Sequence, residues 1–197
     1  LGGFVFTSCA KLKSVYIPFT VNYIDARILD KGNTTTVLQV ATDSVAHEHA
    51  KTHGFTVELR EESMSGTFGE GLTWTLEANG TLTIDGEGAM PEFSYAATGS
   101  KAAPWAGLRL LVKKVVIGNG ITNIGDFSFY YMNNLESIEF EENSTLERIG
   151  IGVFGYSKKL KNIVLPASLK VIDNYAFYVS PNMETVSFEE GSRLETI

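Results

Sequence analysis

One motif recurs along this chain and limits what it can fold into. Ile124-Gly125-Asp126-Phe127-Ser128-Phe129 returns as Ile149-Gly150-Ile151-Gly152-Val153-Phe154 and as Ile172-Asp173-Asn174-Tyr175-Ala176-Phe177, at steps of 25 and 23 residues. Eleven residues after each leading Ile a second motif begins: Leu135-x-x-Ile138-x-Phe140, Leu160-x-x-Ile163-x-Leu165 and Met183-x-x-Val186-x-Phe188. Val112-x-x-Val115-x-Ile117 is an earlier copy, and a third apolar position precedes the leading residues, at Ile121, Leu146, Leu169 and Leu194. A unit of this length is a short strand and a return path, neither able to bury its apolar side alone, so the copies must stack. Alternation sends Ile138 and Phe140 inward and Ser137 and Glu139 outward, which predicts parallel strands lining one face of a solenoid. The column Phe129, Phe154 and Phe177 is then core, and the glycine of the Ile-Gly turn serves a tight bend or a close backbone approach.

The same register places the start of the chain. Leu1-Gly2-Gly3-Phe4-Val5-Phe6 is the turn motif, Leu12-x-x-Val15-x-Ile17 its strand, and Cys9 falls in the slot of Met132, Ser157 and Ser180. Cys9 is therefore expected as a buried or half-buried thiol. After Ile24 the pattern lapses, and Thr36-Val37-Leu38-Gln39-Val40 followed by the stretch from Ser44 to Gly54 predicts a strand and a short glycine-ended helix. Residues 61–71 are polar and glycine-rich and read as a linker. Leu72-Thr73-Trp74-Thr75-Leu76 and Thr81-Leu82-Thr83-Ile84 alternate around Asn79-Gly80, a hairpin signal. Both ends fall inside a repeat: the chain opens on its turn motif and stops at Ile197, on the leading residue of a new unit.

The 197 residues are 44% hydrophobic, enough for a folded domain, and the net charge of -7 opposes binding to nucleic acid or an anionic membrane. No apolar run is long enough to span a bilayer. A lone cysteine excludes an internal disulfide and a cysteine-based zinc site. His49 and His53 are four apart and share a helix face near Glu48, which makes them the candidate metal ligands, but no third ligand follows at a characteristic spacing and His47 points elsewhere. No nucleophile, base or metal is placed by tight local spacing, so the chain is not expected to be an enzyme and no cofactor is expected. Trp74 and Trp105 read as core of the hairpin segment, and the paired glutamates at Glu141-Glu142 and Glu189-Glu190 as solvated loops.

Taken together, these motifs closely resemble the BspA-type leucine-rich repeats, a family of surface proteins in anaerobic and gut bacteria and some mucosal parasites. The resemblance implies an α/β, β-rich solenoid in four parts. Residues 1–60 would be the end of one array with its strand-helix tail, 61–71 the linker, 72–111 a β-hairpin cap, and 112–197 the start of a second array. It also implies a cell-surface or secreted interaction module that adheres to host proteins or glycans, the alternative being a passive spacer that displays another domain. The outward strand positions form a shallow mixed surface, on which Tyr16, Lys114 and Glu139 are the candidate contacts. Lys113, Glu136, Lys161 and Glu184 alternate in charge down one column, and the next charge called for is positive, as at Lys13. Head-to-tail stacking between molecules is accordingly expected through Leu1, Phe4, Phe6 and Lys13 at one end and Glu184, Leu194 and Ile197 at the other.

Overall fold

The computed structural model describes residues 2–30, 33–96 and 98–197. The chain forms two compact units, Leu1–Ser63 with Glu77–Gly80, and Met64–Leu76 with Thr81–Ile197.

In the first unit, β1 (Ser14–Ile17) pairs in parallel with β2 (Val37–Ala41), and β2 with β3 (Thr56–Arg60), in the order β1-β2-β3. Helix α1 (Val45–His53) connects β2 to β3. Its start is set by Ser44, whose Oγ accepts the His47 N–H at 3.1 Å, and its end by Gly54 at φ 70°, in the left-handed region glycine enters freely. The helix buries only Ala46 and Ala50, small residues that bring its axis close to Ile17, Ile28, Leu29, Leu38 and Val40. Thr36 is fully buried, and its hydroxyl donates to the Leu12 carbonyl at 2.9 Å, tying the β2 rung to the β1 rung. Two findings depart from expectation. Strand β3 follows the helix with almost all its residues exposed, so no burial alternation announced it. Cys9 is exposed rather than buried. Met132 and Ser157, in the equivalent slot, are covered by neighbouring rungs, whereas Cys9 belongs to the first rung of its unit.

The second unit holds β4 (Ser63–Phe68), β5 (Leu72–Glu77), β6 (Thr81–Asp85), β7 (Gly88–Ala89), β8 (Lys114–Ile117), β9 (Ile121–Ile124), β10 (Ser137–Phe140), β11 (Arg148–Ile149), β12 (Asn162–Leu165), β13 (Val171–Ile172) and β14 (Thr185–Phe188). One sheet runs β4-β5-β6-β8-β10, and β12, a neighbour of β10, pairs with β14. The second sheet, β7-β9-β11-β13, forms the opposite wall from the segments that end on each leading Ile. Register is in phase: Ile138 faces Val115, Phe140 faces Ile117 and Val186 faces Ile163, so each inward residue stacks on its repeat equivalent. β5 and β6 form the expected antiparallel hairpin, and β6 then pairs in parallel with β8, so the hairpin supplies the first rung of the solenoid. Down the centre, the rings of Trp105, Phe129, Phe154 and Phe177 stack in sequence at 5.8, 5.6 and 5.5 Å. Trp105 is fully buried, with its Nε1–H donating to the Ser128 carbonyl at 2.8 Å, and Trp74 is 7% exposed, which leaves neither face free for a sugar.

The segment read as a linker contains β4, paired at the edge of the hairpin. Its composition misled because most of its residues face solvent, and because its glycine has a packing role: a Cβ at Gly66 would lie 2.8 Å from the Trp74 Nε1. The glycines that directly follow a leading Ile, Gly125 and Gly150, likewise serve close approach rather than a left-handed bend. A side chain at Gly125 would collide with the Pro91 carbonyl, and one at Gly150 would meet Asp126 Oδ1 at 2.5 Å.

Candidate interaction surface

Lys114 and Glu139 stand on adjacent strands β8 and β10 and bind each other, Nζ to Oε1 at 2.7 Å. Each is therefore partly committed before any ligand arrives. Tyr16, in the first unit, is 49% exposed on β1, with the Arg60 guanidinium 5.2 Å from its ring centre. Desolvation first, and then a hydrogen bond and the charge of Glu62, push its phenol above the ordinary tyrosine range. The charge column is only partly realised: Lys161 meets Glu184 at 3.8 Å, but Glu136 turns to Lys159 at 3.3 Å. On the opposite wall Arg148 bridges three rungs, 3.4 Å from Asp126 Oδ1 and 2.6 Å from Asp173 Oδ2. The acidic loops also brace neighbouring rungs, with Glu141 accepting from Asn119 N–H and Glu189 from Ala167 N–H.

His49 and His53 do share a face, but their rings are stacked 4.2 Å apart at 24°, and His53 Nδ1 pairs with the His49 carbonyl at 2.9 Å. His49 Nε2 is buried without a hydrogen-bond partner. Burial, then the charge of His53, lower the His49 pKa, with Asp25 opposing. Among the described residues the group close enough to share an ion is Asp43, His47 and Glu48, whereas the sequence pairs Glu48 with His49 and His53 and sets His47 aside. His47 Nδ1 already accepts the Asp43 N–H at 3.0 Å, so this arrangement serves the helix start.

Of the residues expected to meet head to tail, Phe4 is 61% exposed beneath Arg27, Phe6 is half-buried, and Lys13 and Glu184 are exposed. Leu194 is half-buried, Ile197 is exposed, and Leu1 lies outside the described residues.

A surface the sequence reading passed over lies along the turn motifs of the second unit. Tyr95 contacts Phe127, which meets Tyr130 edge-on at 5.3 Å; Tyr130 meets Tyr156 at 5.5 Å and 85°. Tyr131 stacks on Tyr156 at 4.3 Å, Tyr156 meets Tyr178 at 5.7 Å and 82°, and Tyr178 meets Tyr175 at 5.6 Å and 81°. Tyr95 and Tyr175 are each 68% exposed, and the Arg109 guanidinium lies 5.5 Å from the Tyr131 ring centre. The backbone beneath is unusual. Phe127, Gly152 and Tyr175, at one offset of the repeat, all have positive φ (53°, 61° and 62°), as do Tyr131, Tyr156 and Val179 at a second (62°, 62° and 52°). Left-handed backbone costs a non-glycine L-residue about 1–2 kcal/mol, and bulky aromatics are poor choices there. The rings of Phe127 and Tyr130 fill the space above Gly152 and Gly155, where a Cβ would fall 2.7 and 2.6 Å from ring carbons. Sequence could have shown the strip, because Tyr130 and Tyr178 share one repeat offset, Tyr131 and Tyr156 a second, and Phe127 and Tyr175 a third.

A family model described as the BspA type leucine rich repeat region matches six copies over residues 1–45 and 109–197. The chain belongs to this family. Residues 46–108, which hold nearly all of α1 together with β3 to β7, lie outside the matched copies of this BspA-type protein. Similar solved structures include a leucine-rich repeat protein from Eubacterium ventriosum (21% identity, 66% of this chain and 45% of that chain, TM-score 0.45). The pneumococcal vaccine antigen PcpA is similar at 22% identity, over 65% of this chain and 39% of that chain, with a TM-score of 0.42. A leucine rich cell surface protein from Faecalibacterium prausnitzii is similar at 18% identity, over 66% and 44%, with a TM-score of 0.33. The chain thus spans less than half the length of each of these three. No curated protein matches it.

Proposed function

We propose that this BspA-type chain is a non-catalytic interaction module of a cell-surface or secreted protein, binding host proteins or glycans through its repeat surface. The observation that supports this reading best is the tyrosine row of the turn motifs, in which Tyr131, Tyr156 and Tyr175 stand at positive φ and Tyr175 is exposed as well. Stability alone would be served as well or better by glycine or asparagine at Tyr175, whose ring is 68% exposed and, among the aromatic rings of the described residues, touches only Tyr178. Aromatic rings that keep one face wet are the residues through which protein interfaces gain most of their energy. The strand face contributes Lys114 and Glu139 as secondary, self-paired contacts.

The reading is tested by presenting the intact 197-residue chain to immobilised extracellular-matrix proteins and to a glycan array. Saturable binding that weakens at least about tenfold on substitution of the exposed tyrosines is expected. Absence of binding to every member of both panels would leave a spacer role as the better account.

A further inference from the structure

We propose that the tyrosine strip of the second unit docks a proline-rich segment of a partner protein in the polyproline II conformation. This deepens the interaction-module reading and rests on it. Three features of the strip select that ligand.

The first is its period. At the repeat offsets occupied by Phe127 and Tyr130 the next rung carries Gly152 and Gly155, and the rung after that Tyr175 and Tyr178. At these two offsets aromatic side chains thus return after two rungs, about 9.6 Å at the ordinary strand spacing, with Tyr156 of the intervening rung between Tyr130 and Tyr178. One turn of a polyproline II helix, three residues, rises about 9.3 Å. Prolines three apart in such a segment therefore meet equivalent rings, Tyr130 at one end and Tyr178 at the other. Near-perpendicular neighbours, 85° between Tyr130 and Tyr156 and 82° between Tyr156 and Tyr178, give the strip a ridged relief into which pyrrolidine rings fit.

The second is its hydrogen-bonding character. A polyproline II segment has no internal hydrogen bonds, and its prolines have no N–H, so it offers carbonyl acceptors and asks for donors. The strip answers with phenol hydroxyls and the Arg109 guanidinium. Desolvation holds the Tyr130 phenol above the ordinary tyrosine range, and hydrogen bonding with Tyr131 does the same for Tyr156, so both keep their protons. A sugar's hydroxyls donate as well as accept, so a sugar also asks the surface for acceptors. The carboxylates in the turn motifs, Asp126 and Asp173, are engaged by Arg148.

The third is relief. The cavity beside Tyr95, Phe127, Tyr130 and Arg109 measures about 10 Å³, room for about one water molecule, so the strip is a surface for laying a chain along and not a pocket for a small molecule.

The test is fluorescence anisotropy of the full chain with a labelled oligoproline of about twelve residues, beside a glycine-serine peptide of equal length and a soluble oligosaccharide. The double variant Tyr175→Gly, Tyr178→Ala changes only exposed side chains, and its melting curve establishes that it is folded. Support is saturable binding of the oligoproline, none of the glycine-serine peptide, and at least about a tenfold loss in the folded double variant. Oligoproline binding unchanged in that variant overturns the proposal, as does displacement of a bound partner by the oligosaccharide but not by the oligoproline. If matrix proteins bind while the oligoproline does not, this inference fails and the interaction-module reading stands; if nothing binds, both fail.

Discussion

Val179, Gly152, His49 and Asp25 show how single positions set local energetics here. Val179 is β-branched, 41% exposed and held at φ 52°. Glycine at this position removes a penalty of about 1–2 kcal/mol and gives back about 0.5–1 kcal/mol through the added freedom of the unfolded chain. Val179→Gly should therefore leave stability unchanged or raise it by up to about 1.5 kcal/mol, read as a melting shift of a few degrees. Gly152→Ala at the neighbouring offset should do the reverse, because the new Cβ meets the Phe127 ring at 2.7 Å. His49 supplies a pH dependence in the first unit. Its pKa is lowered on folding, so between the folded and unfolded values the unfolded chain binds the extra proton. Stability should be complete above about pH 6.5 and decline as the pH falls below it. Asp25, which Arg27 holds well below the usual carboxylate range, contributes stability lost only in stronger acid, below about pH 4. The denaturation midpoint between about pH 7.5 and about pH 5 should flatten in His49→Gln, and an unchanged slope would assign the effect to another group.

At the scale of elements, the aromatic column and the hairpin carry the second unit. Phe154→Ala should cost about 3–5 kcal/mol, because its ring is fully buried between Phe129 and Phe177. Trp105→Phe keeps most of the volume but orphans the Ser128 carbonyl, a loss of about 1–3 kcal/mol; equal melting of that variant and the parent would show the hydrogen bond to be worth nothing. What sequence could and could not reveal divides along the same lines. The column at Phe129, Phe154 and Phe177, the strands around Ile138 and Ile163 and the hairpin at Asn79-Gly80 were legible because burial repeats at fixed spacing and each buried position needs an apolar residue. β3 and β4 were not, because edge strands leave most side chains in water and so write no alternation. The function of Gly66 was hidden because it answers to Trp74, a contact no local pattern encodes. The tyrosine strip was present in the letters, at Tyr130, Tyr156, Tyr175 and Tyr178, but its backbone strain was not. A phenylalanine or tyrosine at positive φ is only noticed once the dihedral is known.

At the scale of the whole molecule, self-association between copies of this chain is the property at stake, and two edge strands bear on it. β1 stands at the edge of its sheet and β14 at the edge of its own, and each leaves one row of backbone groups unpaired by the other strands of its unit. Apolar residues flank both: Phe4 is 61% and Val5 46% exposed near β1, while Val186 is 42% and Ile197 88% exposed at the other. If copies of this chain stack β14 against β1 in the repeat register, Glu184 of one copy comes opposite Lys13 of the next and extends the Lys161–Glu184 pair by one rung. Apolar burial would supply the attraction, since an exposed ion pair contributes only about 0–1 kcal/mol; the charges would choose the register. Such a contact is heterologous, so it grows into rings or open filaments and shows as a sedimentation coefficient that climbs with concentration. Lys13→Glu should weaken that climb by setting two carboxylates together, and the double variant Lys13→Glu, Glu184→Lys should restore it. A constant sedimentation coefficient at every concentration, or a climb indifferent to both substitutions, would remove head-to-tail stacking as a property of these edges.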